Sequence, residues 1–216
     1  MYKHLLFSSL FITFIFITKA QTLMDQALLP FGSQNNMGRF TRSCGTRRSG
    51  ASTITILNNC PSTISAAILV ITPSFGSGRR LESGEAWTLN MLDSSVGHIW
   101  GRTNCFFDSL GRGRCETGDC RGVLNCQDSG APPVTLAEFA LNQANNLDFL
   151  DISLVQGFNI PIKFSPKTAY GCSRGASCAA DINRQCPTEL RAPGGCQSPC
   201  TVFKTNEYCC VNSTMK

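Results

Sequence analysis

With 216 residues the chain is long enough for one or two domains with a sizeable core, and its thirteen cysteines stand against two histidines. The formal net charge of +5 lies outside the body: residues 1–20 carry +2, residues 21–50 carry +3, and from Ala51 onward 13 basic residues balance 13 acidic ones. A neutral body whose arginines occur as pairs (Arg79-Arg80, Arg112/Arg114) excludes a nucleic-acid-binding face, which needs clustered positive charge.

Residues Met1 to Ala20 read as a secretory signal. Lys3 gives a positive start, Leu5 to Thr18 an apolar run of 14 residues, and Thr18-Lys19-Ala20 a small-residue cleavage site. The run is too short to span a bilayer, and no later stretch is longer, so the expected product is secreted. Outside the cytosol thirteen cysteines read as a disulfide framework rather than as metal ligands. His4 leaves with the signal. His98, beside Trp100, then stands alone and reads as packed or surface structure, since one histidine makes neither a metal site nor a Ser-His-Asp system. Gln21 to Gly50 is polar, aperiodic and Gly/Ser/Asn/Arg-rich with a lone Cys44, and reads as a disordered insert.

From Ala51 the pattern turns to β. Thr53-Ile54-Thr55-Ile56 alternates polar and apolar side chains, and Ile64 to Ile71 is rich in β-branched residues. Thr72-Pro73 and a Gly/Ser turn at Phe75 to Gly78 close that run. Trp87 to Met91 and His98 to Thr103 supply further short strands, a spacing that predicts a sandwich or barrel. Gly111 to Cys126 is different. Three cysteines, Cys115, Cys120 and Cys126, lie among four glycines with no periodicity, so crosslinks must fold it.

Thr135 and Glu138 then have capping-box spacing, with Leu136, Phe139 and Ala140 at i, i+3 and i+4, which predicts one principal helix from Thr135 to Asn145. Asp148 to Val155 alternates as a strand, with Phe149, Asp151, Ser153 and Val155 on one face. Phe158, Ile160, Ile162 and Phe164 line another. From Ser165 the composition shifts to Cys, Gly, Pro and Ser. Asn212-Ser213-Thr214 fits a glycosylation sequon, a pattern that arises easily by chance.

Gly-Arg-Gly-Arg-Cys-Glu-Thr-Gly-Asp-Cys, from Gly111 to Cys120, resembles the signature of the plant thaumatin-like (osmotin-type, group-five pathogenesis-related) family. Cys60-Pro61, Gly78 to Leu81, Trp100 to Cys105, Leu136 to Pro166 and Cys186 to Cys196 resemble further family landmarks in order. The resemblance implies a mainly β fold. Residues 51–164 would form a thaumatin-like β-sandwich with the inserted helix, and residues 165–216 a disulfide-rich loop lobe. It implies the pairs Cys105–Cys115, Cys120–Cys126, Cys186–Cys196 and Cys200–Cys209. Family members run on for several tens of residues, with sixteen cysteines in eight bridges. The partners of Cys60, Cys172, Cys178 and Cys210 would lie beyond Lys216, and Cys44 has none. The expectation is a truncated chain that does not make a stable monomer, whereas a full-length one would be monomeric.

The resemblance also implies a ligand-binding cleft formed by Arg102, Glu138, Asp151 and Gln156, the last standing where the family has a second aspartate. No cofactor and no metal are implied. The implied partner is fungal-wall β-1,3-glucan or a fungal membrane, met in the apoplast or vacuole by an antifungal defence protein. Hydrolysis would need two carboxylates flanking the bond, for which Glu138 and Asp151 are the remaining pair. Inhibition of a foreign hydrolase, or a sweet-taste-like surface role, also occurs in the family. Bland readings stand beside these. Glu138 is half of a capping box, Arg102 is a structural partner for a carboxylate, Asp151 is a solvated strand residue, and Asp119 bonds its own turn.

Overall fold

The computed structural model describes residues 11–17, 42–45, 52–144, 147–166 and 176–209, the first two segments as backbone. Its strands are β1 (Phe11–Ile17), β2 (Arg42–Gly45), β3 (Ser52–Asn59), β4 (Ile64–Thr72), β5 (Phe75–Leu81), β6 (Ala86–Met91), β7 (Val96–Arg102), β8 (Phe106–Phe107), β9 (Gly113–Arg114), β10 (Leu136–Gln143), β11 (Leu147–Ser153), β12 (Ile162–Pro166) and β13 (Ala176–Cys178). Helix α1 (Ile182–Gln185), β14 (Arg191–Ala192), β15 (Gly195–Cys196) and helix α2 (Pro199–Phe203) follow. Two sheets dominate: β13-β12-β1-β3-β6, and β2-β11-β10-β7-β4-β5. The mainly β expectation holds.

Period-two alternation builds the core between them. Ile54 and Ile56 of β3 point inward, while Thr55 meets Thr88 of β6 on the outside at 3.2 Å. From the other sheet come Ala66, Ile68 and Val70 of β4, Ile99 of β7, Ala137, Phe139 and Leu141 of β10 and Leu150 of β11. Full burial of one such large side chain stabilises by about 1.5–3 kcal/mol. Asn58, itself buried, closes the β3–β4 turn by donating to the Ser62 and Leu81 carbonyls, each at 2.9 Å.

Four expectations change. Leu136–Gln143, expected as the principal helix, is the strand β10, held antiparallel between β7 and β11. Leu-Ala-Glu-Phe-Ala-Leu has high helix propensity. As a strand, however, it sends Ala137, Phe139 and Leu141 all to the core, and ladder bonds on both edges override propensity. Arg42–Gly45, in the stretch read as disordered, pairs with β11 as an edge strand of the six-stranded sheet. Phe75 to Gly78, expected as a turn, opens β5, because glycines there lie flat against the signature loop. The strand expected from Phe158 starts only at Ile162. Phe158 instead makes an isolated bridge to Cys196, which draws it into the loop lobe.

Phe11–Ile17, inside the segment read as a leader, lies between β12, antiparallel, and β3, parallel. The five-stranded sheet thus uses a strand that signal cleavage would remove. No helix among the described residues is long and apolar enough to cross a membrane.

Candidate functional site

The signature segment covers part of the outer face of the six-stranded sheet, where Cys120 and Cys126 pack with Ala67, Trp100 and Leu136. Disulfides Cys105–Cys115 and Cys120–Cys126 crosslink it, and Cys186–Cys196 and Cys200–Cys209 crosslink the loop lobe. Each such closure contributes roughly 2–4 kcal/mol. Cys60 and Cys178 carry free thiols; burial pushes the Cys60 thiol up to about 11 and the Cys178 thiol upward too. The side chains of Cys44, Cys172 and Cys210, and the Asn212 sequon, lie outside the described residues. Asp119 organises the segment's turn, accepting from the Cys115 amide at 2.9 Å and the Gly122 amide at 2.8 Å. Gly118 has a positive φ of 67°, and a Cβ there would press on Trp100 and Arg102. Its carbonyl accepts from the Trp100 indole at 2.8 Å, pinning the segment to the sheet.

Arg102, at the end of β7, has 0% relative exposure. Its Nε donates to the Ser65 carbonyl at 3.0 Å, Nη1 to Val123 at 2.8 Å and Nη2 to Leu124 at 2.7 Å. Phe107 lies against it, 5.2 Å from ring centroid to guanidinium carbon. Desolvation pulls its pKa down to about 10, partly opposed by the Asp119 carboxylate, so it stays charged at neutral pH. The guanidinium is a strut between β4 and the signature segment, with its donors turned onto protein carbonyls. Neither a cleft ligand nor a simple carboxylate partner describes it.

Glu138 and Asp151 do come together. They are directly opposed on β10 and β11. Because Ala137, Phe139 and Leu150 face the core, both point outward, as do Phe149 and Ser153. Asp151 is 5% exposed, and Glu138 is half-buried. Arg102 lies four residues along β7 from this row, about 13 Å at strand rise. The residue that stands there is His98, paired with Glu138 on one side and Leu69 on the other. Its Nε2 is 3.2 Å from Ser129 Oγ, its ring is 5.3 Å from Trp100, and burial lowers its pKa below the usual 6.5.

Sequence reasoning passed over His98 because a lone histidine carries no motif. Only strand register shows that it faces a carboxylate. Gln156 sits in the turn after β11, half-buried, its carbonyl accepting from the Val134 amide at 3.1 Å. The capping-box reading fails with the helix. Thr135 is fully buried, and its hydroxyl accepts from the Asn159 amide at 3.3 Å. The Asn159 side chain accepts from the Thr135 amide at 3.0 Å and donates to the Gly101 carbonyl and Thr117 hydroxyl, each at 2.8 Å. That amide ties the segment between β11 and β12 to the ends of β7 and β10 and to the signature segment.

The chain is similar to known proteins over most of its length. It is 58% identical over 159 residues to a thaumatin-like protein of Actinidia deliciosa, covering 73% of this chain and 68% of that one. It is 51% identical over 164 residues to zeamatin of Zea mays, covering 76% and 70%. To an alpha-amylase/trypsin inhibitor of Zea mays it is 51% identical over 160 residues, covering 74% and 76%. The solved thaumatin-like xylanase inhibitor TLXI shares 36% identity with a TM-score of 0.45, covering 50% of this chain and 72% of that one. The thaumatin family model matches residues 58–216, from the end of β3 through the signature segment and the loop lobe, and the chain belongs to the thaumatin family.

Proposed function

We propose that the protein is a secreted plant defence protein that binds fungal-wall β-1,3-glucan on the outer face of the six-stranded sheet, without efficient hydrolysis. The observation that carries this reading is the row His98, Glu138, Asp151 on neighbouring strands, with half-buried Glu138 its most exposed member. Carboxylates and an imidazole offer hydrogen bonds to sugar hydroxyls. Family membership and the apolar start of the chain support export.

Binding is favoured over cleavage by the depth of Asp151. Hydrolysis needs two carboxylates reaching the scissile bond from either side. Here Asp151 is 5% exposed, leaving Glu138 as the carboxylate nearer solvent, and Gln156 is a neutral amide. Retention on insoluble β-1,3-glucan, with release of reducing sugar from laminarin at background, is the expected result. Strong laminarin hydrolysis abolished by Glu138→Gln would instead establish the glucanase reading. A second reading, inhibition of a foreign hydrolase, draws support from the 51% identical relative named an alpha-amylase/trypsin inhibitor. Titrating the protein into amylase and trypsin assays tests it directly.

A further inference from the structure

We infer that the disulfide-closed hairpin β8–β9 is the surface that enters the active cleft of a foreign glycoside hydrolase, with Phe106 and Leu110 as apolar anchors and Arg112 and Arg114 meeting the cleft carboxylates. This rests on the inhibitor reading above, not on the glucan face. Phe106 and Leu110 are 75% and 76% exposed, the most exposed large apolar side chains among the described residues. Exposed apolar groups rimmed by polar ones mark interaction sites. Arg112 and Arg114 are exposed too, and among the described residues neither makes an ion pair or a side-chain hydrogen bond. The nearby carboxylates are already engaged. Asp108 accepts from the Leu110 amide at 2.9 Å and the Arg112 amide at 2.8 Å, and Glu116 accepts from the Asn104 side chain. The two guanidiniums are thus the groups free to meet an acidic partner.

The hairpin is rigid before any partner arrives. Cys105–Cys115 closes its base, and Phe107 packs over Arg102 on the inner side. The Gly111 carbonyl accepts from the Leu124 amide and the Gly113 amide donates to the Gly122 carbonyl, each at 2.8 Å. A preorganised loop loses little freedom on binding, so a small exposed surface can suffice. A glycoside hydrolase carries two carboxylates flanking the scissile bond, in a cleft with apolar and aromatic lining. Phe106 and Leu110 suit that lining, and guanidiniums pair with carboxylates through charge-assisted hydrogen bonds. A protease cleft fits less well, because bound peptides lie in it as extended strands. Here the Gly111 amide donates to the Asp108 carbonyl at 3.0 Å and Gly111 has a φ of 72°, which winds the tip into a closed turn. A bilayer would have to take in the exposed Asp108, which lies between the two anchors in sequence, at a high desolvation cost.

The experiment titrates the full chain against an α-amylase, with trypsin inhibition and adsorption to anionic phospholipid vesicles as parallel arms. Wild type is compared with the double variants Phe106→Ser/Leu110→Ser and Arg112→Gln/Arg114→Gln. All four side chains are exposed, so urea midpoints should stay at the wild-type value. Wild-type inhibition should compete with starch. Each double variant should raise the inhibition constant about ten- to a hundredfold. The arginine variant should also lose most of the salt dependence of inhibition. Amylase whose catalytic carboxylates are changed to amides should bind wild type less tightly and no longer distinguish it from the arginine variant. Amylase inhibition that both double variants retain overturns the inference and leaves the inhibitor reading standing. Losses confined to trypsin inhibition or to vesicle adsorption overturn it in favour of a protease or a lipid surface. Absence of amylase inhibition by wild type overturns the amylase half of the inhibitor reading, and this inference with it.

Discussion

Replacing Arg102 by methionine separates a strut from a ligand residue. Methionine keeps most of the aliphatic stem and removes the charge with all its donors. Three short bonds disappear, to Ser65 at 3.0 Å, Val123 at 2.8 Å and Leu124 at 2.7 Å. Hydrogen bonds from a charged donor are worth roughly 1.5–3 kcal/mol each. Two losses are partly recovered: water can reach the half-buried Val123 and Leu124, and a buried charge no longer has to be desolvated. The Ser65 carbonyl, on a residue 3% exposed, has no such relief. The net cost is then about 2–5 kcal/mol. Urea unfolding with disulfides intact should show it as a midpoint lowered by roughly 1–3 M. Arg102→Lys should fall nearly as far, since one ammonium cannot span from Ser65 to Leu124. At temperatures where Arg102→Met remains folded, glucan retention should match wild type. A variant within about 0.5 kcal/mol of wild-type stability that had lost retention would refute the strut and return Arg102 to the ligand face.

Asn159→Ala should destabilise by about 2–4 kcal/mol, because it strands the Thr135 amide and the Gly101 carbonyl in a buried site; limited proteolysis should then cut more readily between β11 and β12. The chain beginning at Gln21 lacks β1, which leaves the facing edges of β3 and β12 without a partner. Light scattering should show it aggregating more readily than the chain beginning at Met1, as open edges do, unless another strand fills the slot. His98 makes stability pH-dependent with a definite sign. Burial lowers its folded pKa below 6.5, so above pH 6.5 both states are neutral and the contribution is constant. As pH falls through 6.5 toward the folded value, the unfolded chain takes up a proton first and stability drops. Denaturation midpoints of wild type and His98→Gln should therefore converge between pH 7 and pH 5, and parallel curves would count against it.

The sequence by itself determined the β class, the crosslinked character of the signature segment and the family. Ile54 and Ile56 alternate with threonines, and Cys115, Cys120 and Cys126 sit among glycines; such patterns are local and survive without knowing any partner. It could not determine the state of Leu136–Gln143, whose helix-forming residues become a strand because ladders with β7 and β11 and an inward Phe139 outweigh propensity. Nor could it tell Arg102 from His98. Carried over by motif, the arginine belonged beside Glu138 and Asp151, yet it lies two side-chain repeats further along β7, buried in carbonyls. Tertiary structure decided that, because register between strands distant in sequence sets which side chains face each other. The residues of β7 and β10 lie about 40 positions apart, and nothing local to either strand encodes their alignment.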